Sequence, residues 1–171
     1  MPPGVQTCEA GIESGVLDVR VSSGVQHRSE WCWAACISMV FSYWGHPVSQ
    51  ERIVQETWGS IVNMPGQPAQ IVNDLNRWWI DEHGARFRVI ADVYSVTAAS
   101  AAQDLSSNYP LIIGSMGHAM VLTDLVYLRD AWGNGQPQQA IVRDPWPGRG
   151  RRLLTPQEWS SIQLAARIRV T

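Results

Sequence analysis

Gln26-His27-Arg28-Ser29-Glu30-Trp31-Cys32-Trp33-Ala34-Ala35-Cys36-Ile37-Ser38-Met39-Val40-Phe41-Ser42-Tyr43-Trp44-Gly45 changes character at its middle. A polar run ends at Cys32, and an almost wholly apolar segment follows as far as Trp44. Ser29 and Glu30 suit the opening of a helix as N-cap and first-turn acid, and Gly45 suits its stop. The pattern predicts a buried helix with Cys32 in its first turn. Unpaired backbone N–H groups and the helix dipole gather there and favour negative charge, so a thiol at that place leans toward its thiolate, the nucleophilic form. Cys32 is therefore the candidate nucleophile, whereas Cys36, on the apolar side of the same helix, reads as a small buried hydrophobe.

Outward from this helix, the first half of the chain is mainly helical. Gly45-His46-Pro47-Val48 is a turn, and Ser49 caps a second helix over about residues 50–57. Residues 58–66 read as a loop. Ile71, Val72, Leu75, Trp78 and Trp79 sit at helical spacing, which predicts a third helix from Pro68 to about Ile80. On the N-terminal side, residues 1–11 look like a loose lead-in, and 16–21 alternate weakly as a short strand.

The second half reads as sheet. Strands are predicted over 86–94, 111–113, 118–128, 138–143 and 165–170, with a short helix over 97–108 and another starting at Thr155-Pro156-Gln157-Glu158-Trp159. Helices first and a mostly antiparallel sheet second make an α+β chain with a cleft where the two parts meet. The length of 171 residues fits a single domain over 1–171, with residues 1–20 as a loose N-terminal extension.

Composition narrows the class. Hydrophobic content of 45%, charged content of 16% and a net charge of −2 suit a soluble globular protein and argue against nucleic-acid or anionic-membrane partners. No stretch has the form of a signal peptide or a membrane span, which leaves the location open between the cytoplasm and release by a specialised secretion system. Three cysteines make no disulfide framework. A metal site through Cys32, Cys36 and His118 lacks a second ligand pair at zinc-type spacing. All 13 basic residues are Arg; codon bias accounts for this, as would evasion of lysine-directed modification inside another cell.

A thiol nucleophile needs a base, the base needs an orienting group, and the oxyanion needs donors. Of four histidines, His27, His46 and His83 read as solvent-facing loop residues. His118 differs, because Gly114-Ser115-Met116-Gly117 delivers it to the head of the apolar strand Ala119-Met120-Val121-Leu122. Asp124 shares its face but lies about 20 Å along the strand, too far for a hydrogen bond. Asp144 ends the next strand. If the two strands form a hairpin, pairing His118 with Asp144 and Asp124 with Gln138 leaves residues 125–137 as the connection and sets the carboxylate beside the imidazole. Gln26, six residues before the cysteine, is the candidate second oxyanion donor beside the Cys32 backbone N–H.

Gln26, Cys32 at a helix start, His118 at a strand start and Asp144 before a proline together resemble papain-like cysteine peptidases. The likeness is to compact bacterial forms: C39-type peptidases that cut leaders after double glycine, and AvrRpt2-type secreted effector proteases. It extends through residues 32–50, through Tyr109-Pro110-Leu111-Ile112-Ile113 with 117–122, and through Asp144-Pro145-Trp146-Pro147-Gly148. Trp33 stands where C39-type enzymes usually place Gly and Trp31 where they often have Asp, so the Trp-Cys-Trp-Ala-Ala pattern looks more like the effector type. The resemblance implies a papain-like fold and a cysteine endopeptidase working through an acyl-enzyme. It carries over Cys32 as nucleophile, His118 as base, Asp144 as orienter and Gln26 as oxyanion donor. Trp31, Trp33 and Trp146 are the expected walls of the substrate groove.

The expected partner is a protein or peptide substrate. No cofactor is expected, the chain is expected to act as a monomer, and a host activating factor stays an open alternative. Two rival readings keep the same residues: a deamidase or acyltransferase, and a non-catalytic papain-like binding module.

Overall fold

The computed structural model describes residues 4–13, 16–17 and 24–171. Helix α1 (Cys32–Tyr43) is apolar on every side and accordingly buried: Trp33, Ala34, Ala35, Cys36, Ile37, Met39, Val40, Phe41 and Tyr43 are all in the core. Its end matches the expected stop. Gly45 has φ of 84°, its N–H donates to Ser42 O, and the His46 N–H donates to Phe41 O, the two bonds of a Schellman cap. Its start differs from expectation. Trp31 is the N-cap, no side chain caps the first turn, and that turn holds no acid. Ser29 and Glu30 are engaged elsewhere: Asn63 donates to Ser29 Oγ and accepts from the Glu30 N–H.

Helix α2 (Gln50–Trp58) starts at Ser49, whose side chain accepts from the Arg52 N–H, and ends at Gly59 in the left-handed region. Helix α3 (Pro68–Asp74) is shorter than predicted. Trp78, Trp79 and Ile80 form strand β2 instead, with Trp79 buried and its two neighbours exposed. These β-favouring residues fit helical and alternating patterns alike, and pairing with strand β3 (Arg86–Val93) decides between them. The Trp79 indole N–H donates to Asp74 O and closes the unit.

The rest is sheet, interrupted by helix α4 (Ala98–Ser106), which Thr97 caps. Strands β4 (Leu111–Ser115), β5 (His118–Arg129), β6 (Gly135–Asp144), β7 (Gly150–Leu154) and β8 (Ile162–Val170) complete it, with helix α5 (Pro156–Ser160) before β8. The order is β2-β3-β8-β4-β5-β6-β7, antiparallel at every pairing. Strand β7 was not expected. Neither was strand β1 (Gln6–Gly11), which pairs with β5 where a loose lead-in was predicted. Its own alternation is weak and its partner supplies the order. Of the strand predicted over 16–21, Val16 and Leu17 lie in a helical turn, both donating to Glu13 O, and the remainder falls outside the described residues.

The sheet is covered on both faces, which explains why Leu111-Ile112-Ile113 is apolar without alternation. Ile112, Ala119, Val121, Ala166 and Ile168 join α1, α2 and α3 in one core, and Leu111, Ile113, Met120, Leu122 and Val142 join α4 in the other. No helix among the described residues is long and apolar enough to cross a membrane.

Candidate active site

Cys32 is the first residue of α1 and half-buried. The tryptophans on either side of it secure a wall across the opening. The Trp31 indole N–H donates to Val62 O at 2.8 Å and that of Trp33 to Met64 O at 3.1 Å. Residues 62–64, part of the predicted loop, are thereby drawn over the helix start. Trp31 is 0% exposed and belongs to the core, so it is not a groove wall as expected; its ring satisfies its only polar atom internally and leaves nothing for a substrate. Trp33, though buried, lines the cleft. That cleft, of about 310 Å³, is bounded chiefly by Cys32, Trp33, Gly66, Ile71, His118 and Leu164.

His118 is held by one of the tightest connections a chain can make. Ser115 pairs with His118 across a two-residue turn whose residues, Met116 and Gly117, have φ of 53° and 74°. Its Nε2 donates to Asp144 Oδ1 at 2.6 Å, and the ring lines the same cleft as Cys32. Cys32 and His118 thus face one cleft, with Asp144 bonded to the imidazole. Burial works against a charged imidazole, but the hydrogen bond to Asp144 and the neighbouring Cys32 outweigh it and raise the His118 pKa to about 9.

Asp144 is buried at 3% exposure. Burial pushes its carboxyl pKa up. The His118 hydrogen bond, the Trp146 backbone N–H at 2.9 Å and Arg152 Nε at 2.9 Å pull harder and hold it at about 2. The ladder register differs from the predicted one. Val121 pairs with Arg143 and Leu122 with Val142, and the connection is only residues 130–134, because both strands run further than expected. Continued toward the cleft, this register sets Asp144 opposite Met120 and diagonal to His118, still on the same face.

Cys36 is fully buried, and burial first, then the charges of Cys32 and Asp144, push its thiol well above the ordinary range. Cys8, Cys32 and Cys36 are all free thiols. Gln26 is buried at 4% and stands apart from the cleft lining. Its backbone N–H donates to Pro145 O at 2.8 Å, and its side-chain Nε2 donates to Arg28 O and Ser29 O, both at 2.9 Å. Trp146 is 43% exposed and lines a second groove on the other side of His118, together with Met116 and Arg149. His46 is not solvent-facing as expected: it bonds Asp81 at 2.7 Å and stacks on Phe87. His27 pairs with Glu51 at the surface. Among the described residues no three His, Cys, Asp or Glu side chains converge as metal ligands.

Two residues of the site were missed in the sequence. Arg152 and Glu158 look like part of a solvated basic run and a helix-capping acid, yet they back Asp144 from behind. The Thr155/Glu158 capping box was legible; its link to Arg152 needed β7 to pair with β6.

A family profile described as papain-like cysteine protease AvrRpt2 matches residues 13–161. The chain belongs to this family. It is a papain-like cysteine protease with the α+β fold expected for one. Two solved structures are similar over most of its length. A double glycine motif protease from an AMS/PCAT transporter, crystallised with its leader peptide, is 18% identical over 88% of this chain and 92% of its own, with a TM-score of 0.58. The peptidase domain of Streptococcus ComA, a bifunctional ABC transporter involved in quorum sensing, is 18% identical over 86% and 95%, with a TM-score of 0.55. These likenesses bear on fold. No curated protein matches the chain.

Proposed function

We propose that this family member is an endopeptidase that cleaves a protein substrate through Cys32, His118 and Asp144. The observation that carries the reading is that Cys32 and His118 line one cleft and that His118 is hydrogen-bonded to a buried carboxylate. The Cys32 thiolate attacks the scissile carbonyl, and the Cys32 backbone N–H at the uncapped helix start receives the developing oxyanion. The resemblance to papain-like peptidases assigns Gln26 as the second donor, although its Nε2 here donates to Arg28 O and Ser29 O. The C–N bond breaks as His118 gives its proton to the leaving amine. Water then hydrolyses the thioester, His118 taking a proton from it, and the thiolate returns. Asp144 keeps the imidazole in the productive orientation throughout.

Trp33 and Ile71 shape the acyl side of the groove, and Trp146 the leaving-group side. The Trp31-Cys32-Trp33 pattern and the AvrRpt2 family description support action on a protein of another cell, as a secreted effector. The peptide held by the double glycine motif protease supports an extended peptide as the bound form.

The reading is tested by alkylation with iodoacetamide at about pH 6, where an ordinary thiol is almost wholly protonated. Labelling confined to Cys32, slowed by His118→Ala and unchanged by Cys36→Ala, is the expected result. Equal labelling of Cys36, or indifference to His118, overturns it. Cleavage of a randomised peptide mixture separates peptidase from deamidase or acyltransferase: new amino termini are expected, and a mass gain of one dalton or acyl exchange alone would replace the assignment.

A further inference from the structure

Within its own hairpin Asp144 is hydrogen-bonded to His118. A positive charge reaches it from β7, on a side chain that α5 holds. Arg152 Nε donates to Asp144 Oδ2 at 2.9 Å, on the oxygen that His118 does not use. The two terminal nitrogens of the same guanidinium donate to Glu158 Oε1 and Oε2 at 2.9 and 2.7 Å, a bidentate pair. Its Nη2 also touches Met120 Sδ at 3.2 Å. Glu158 is fixed in turn by the capping box with Thr155. The Arg152 side chain is 20% exposed and that of Asp144 0%, so solvent screens this contact far less than a surface pair. Arg149 approaches the same oxygen only to 3.9 Å and is 57% exposed.

We propose that Arg152 is a positioning residue of the catalytic pair: it fixes the second oxygen of Asp144 and partly neutralises that carboxylate, and Glu158 sets how much of its charge is left to do so. The inference rests on the His118–Asp144 pairing used above. A bare aspartate in this place would hold the imidazolium too firmly for easy proton delivery to the leaving amine. With Arg152 attached, the carboxylate orients the ring and exerts a reduced field on it. Among the described residues, the other charged and titratable groups facing the pair include Glu30 at the cleft, Cys32 and Cys36 of α1, and Arg149 of the turn before β7.

The charges predict opposite effects from two neighbouring substitutions. Arg152→Gln removes positive charge behind Asp144, so His118 should keep its proton to higher pH. Glu158→Gln removes the competing acid and frees Arg152 for Asp144, so His118 should lose its proton at lower pH. Each shift is expected to be about half a pH unit, and Arg152→Lys should return the midpoint close to wild type. The midpoint is read by NMR from the His118 ring Cε1–H signal, identified by its loss in His118→Gln.

A merely structural role would disturb both variants alike. Shifts of the same sign, or no shift in either, overturn the proposal. If Arg152→Gln does not fold, Glu158→Gln and Arg152→Lys carry the same test. The alkylation of Cys32 judges the peptidase reading separately: split midpoints with His118-independent labelling would retain Arg152 in this role and discard that reaction.

Discussion

Gly66 lies against the indole of Trp33 so closely that a β-carbon on it would stand 2.5 Å from Cδ2 and 2.7 Å from Cγ. The ring has no room to yield, being 1% exposed and tied through its N–H to Met64 O. This contact sets the distance between the wall over the cleft and the helix that carries Cys32. Gly66→Ala is expected to cost about 1–3 kcal/mol by overpacking, read from urea unfolding, and to slow Cys32 alkylation as the wall moves. A variant as stable as wild type would show that the wall is not seated in this way.

The pair at the active site makes stability depend on pH at two ends. His118 keeps its proton to about pH 9 in the fold against 6.5 for the free group. Its contribution is therefore complete below 6.5 and is lost as pH rises through 9. Asp144 is held at about 2 against 3.8, so its contribution is complete above 3.8 and is lost as pH falls through 2. Asp144→Asn removes the carboxylate itself and the first of the two groups that raise His118, leaving Cys32. The urea midpoint should fall between pH 6.5 and 9 in wild type and fall less there in the variant.

For Asp74 the sign reverses. It is buried at 4%, burial raises its carboxyl pKa to about 6, and the Thr57 hydroxyl at 2.7 Å compensates only in part. The folded state binds the extra proton between the free value of 3.8 and about 6, so stability falls as pH rises through that window. Asp74→Asn should gain on the order of 2 kcal/mol at neutral pH and remove this slope. Chemical unfolding at pH 4 and pH 7 checks it, and a loss at pH 7 would mean that Thr57 requires the charge.

Met116 occupies the left-handed region at φ of 53°, a place that suits Asn or Gly better than a long side chain. The strain sits in the turn that presents His118. Met116→Asn is expected to stabilise the protein by about 1 kcal/mol, seen as a higher melting temperature. A lower one would show that the methionine side chain, 58% exposed beside Trp146, contributes packing that outweighs the backbone cost.

Much of this site was legible without coordinates, for identifiable reasons. The apolar run after Cys32 and the stop at Gly45 are local signals, and the helix they describe lies where they predict. His118 and Asp144 come from strands joined by a short connection, so their meeting needed only a hairpin. At the cleft end the predicted register was two residues off, because a tighter turn displaces the ladder; irregularities after Leu122 and Val126 make the offset three between them and cancel toward the cleft. An even displacement keeps side chains on the same face, and Asp144 reached His118 diagonally.

The sequence by itself determined that Cys32 opens a buried helix, that His118 heads an apolar strand and that Asp144 ends the strand paired with it, since each depends on periodicity and chain neighbours. Only the tertiary structure decided that Trp31 belongs to the core, that residues 65–68 wall the cleft, and that Arg152 and Glu158 stand behind Asp144. Those contacts join segments whose local patterns carry no mark of one another: an indole N–H finds its carbonyl 31 residues away, and an arginine in a basic run finds a buried carboxylate once β7 pairs with β6. Burial and charge pairing are settled by what lies across space, and a one-dimensional pattern records only what lies along the chain.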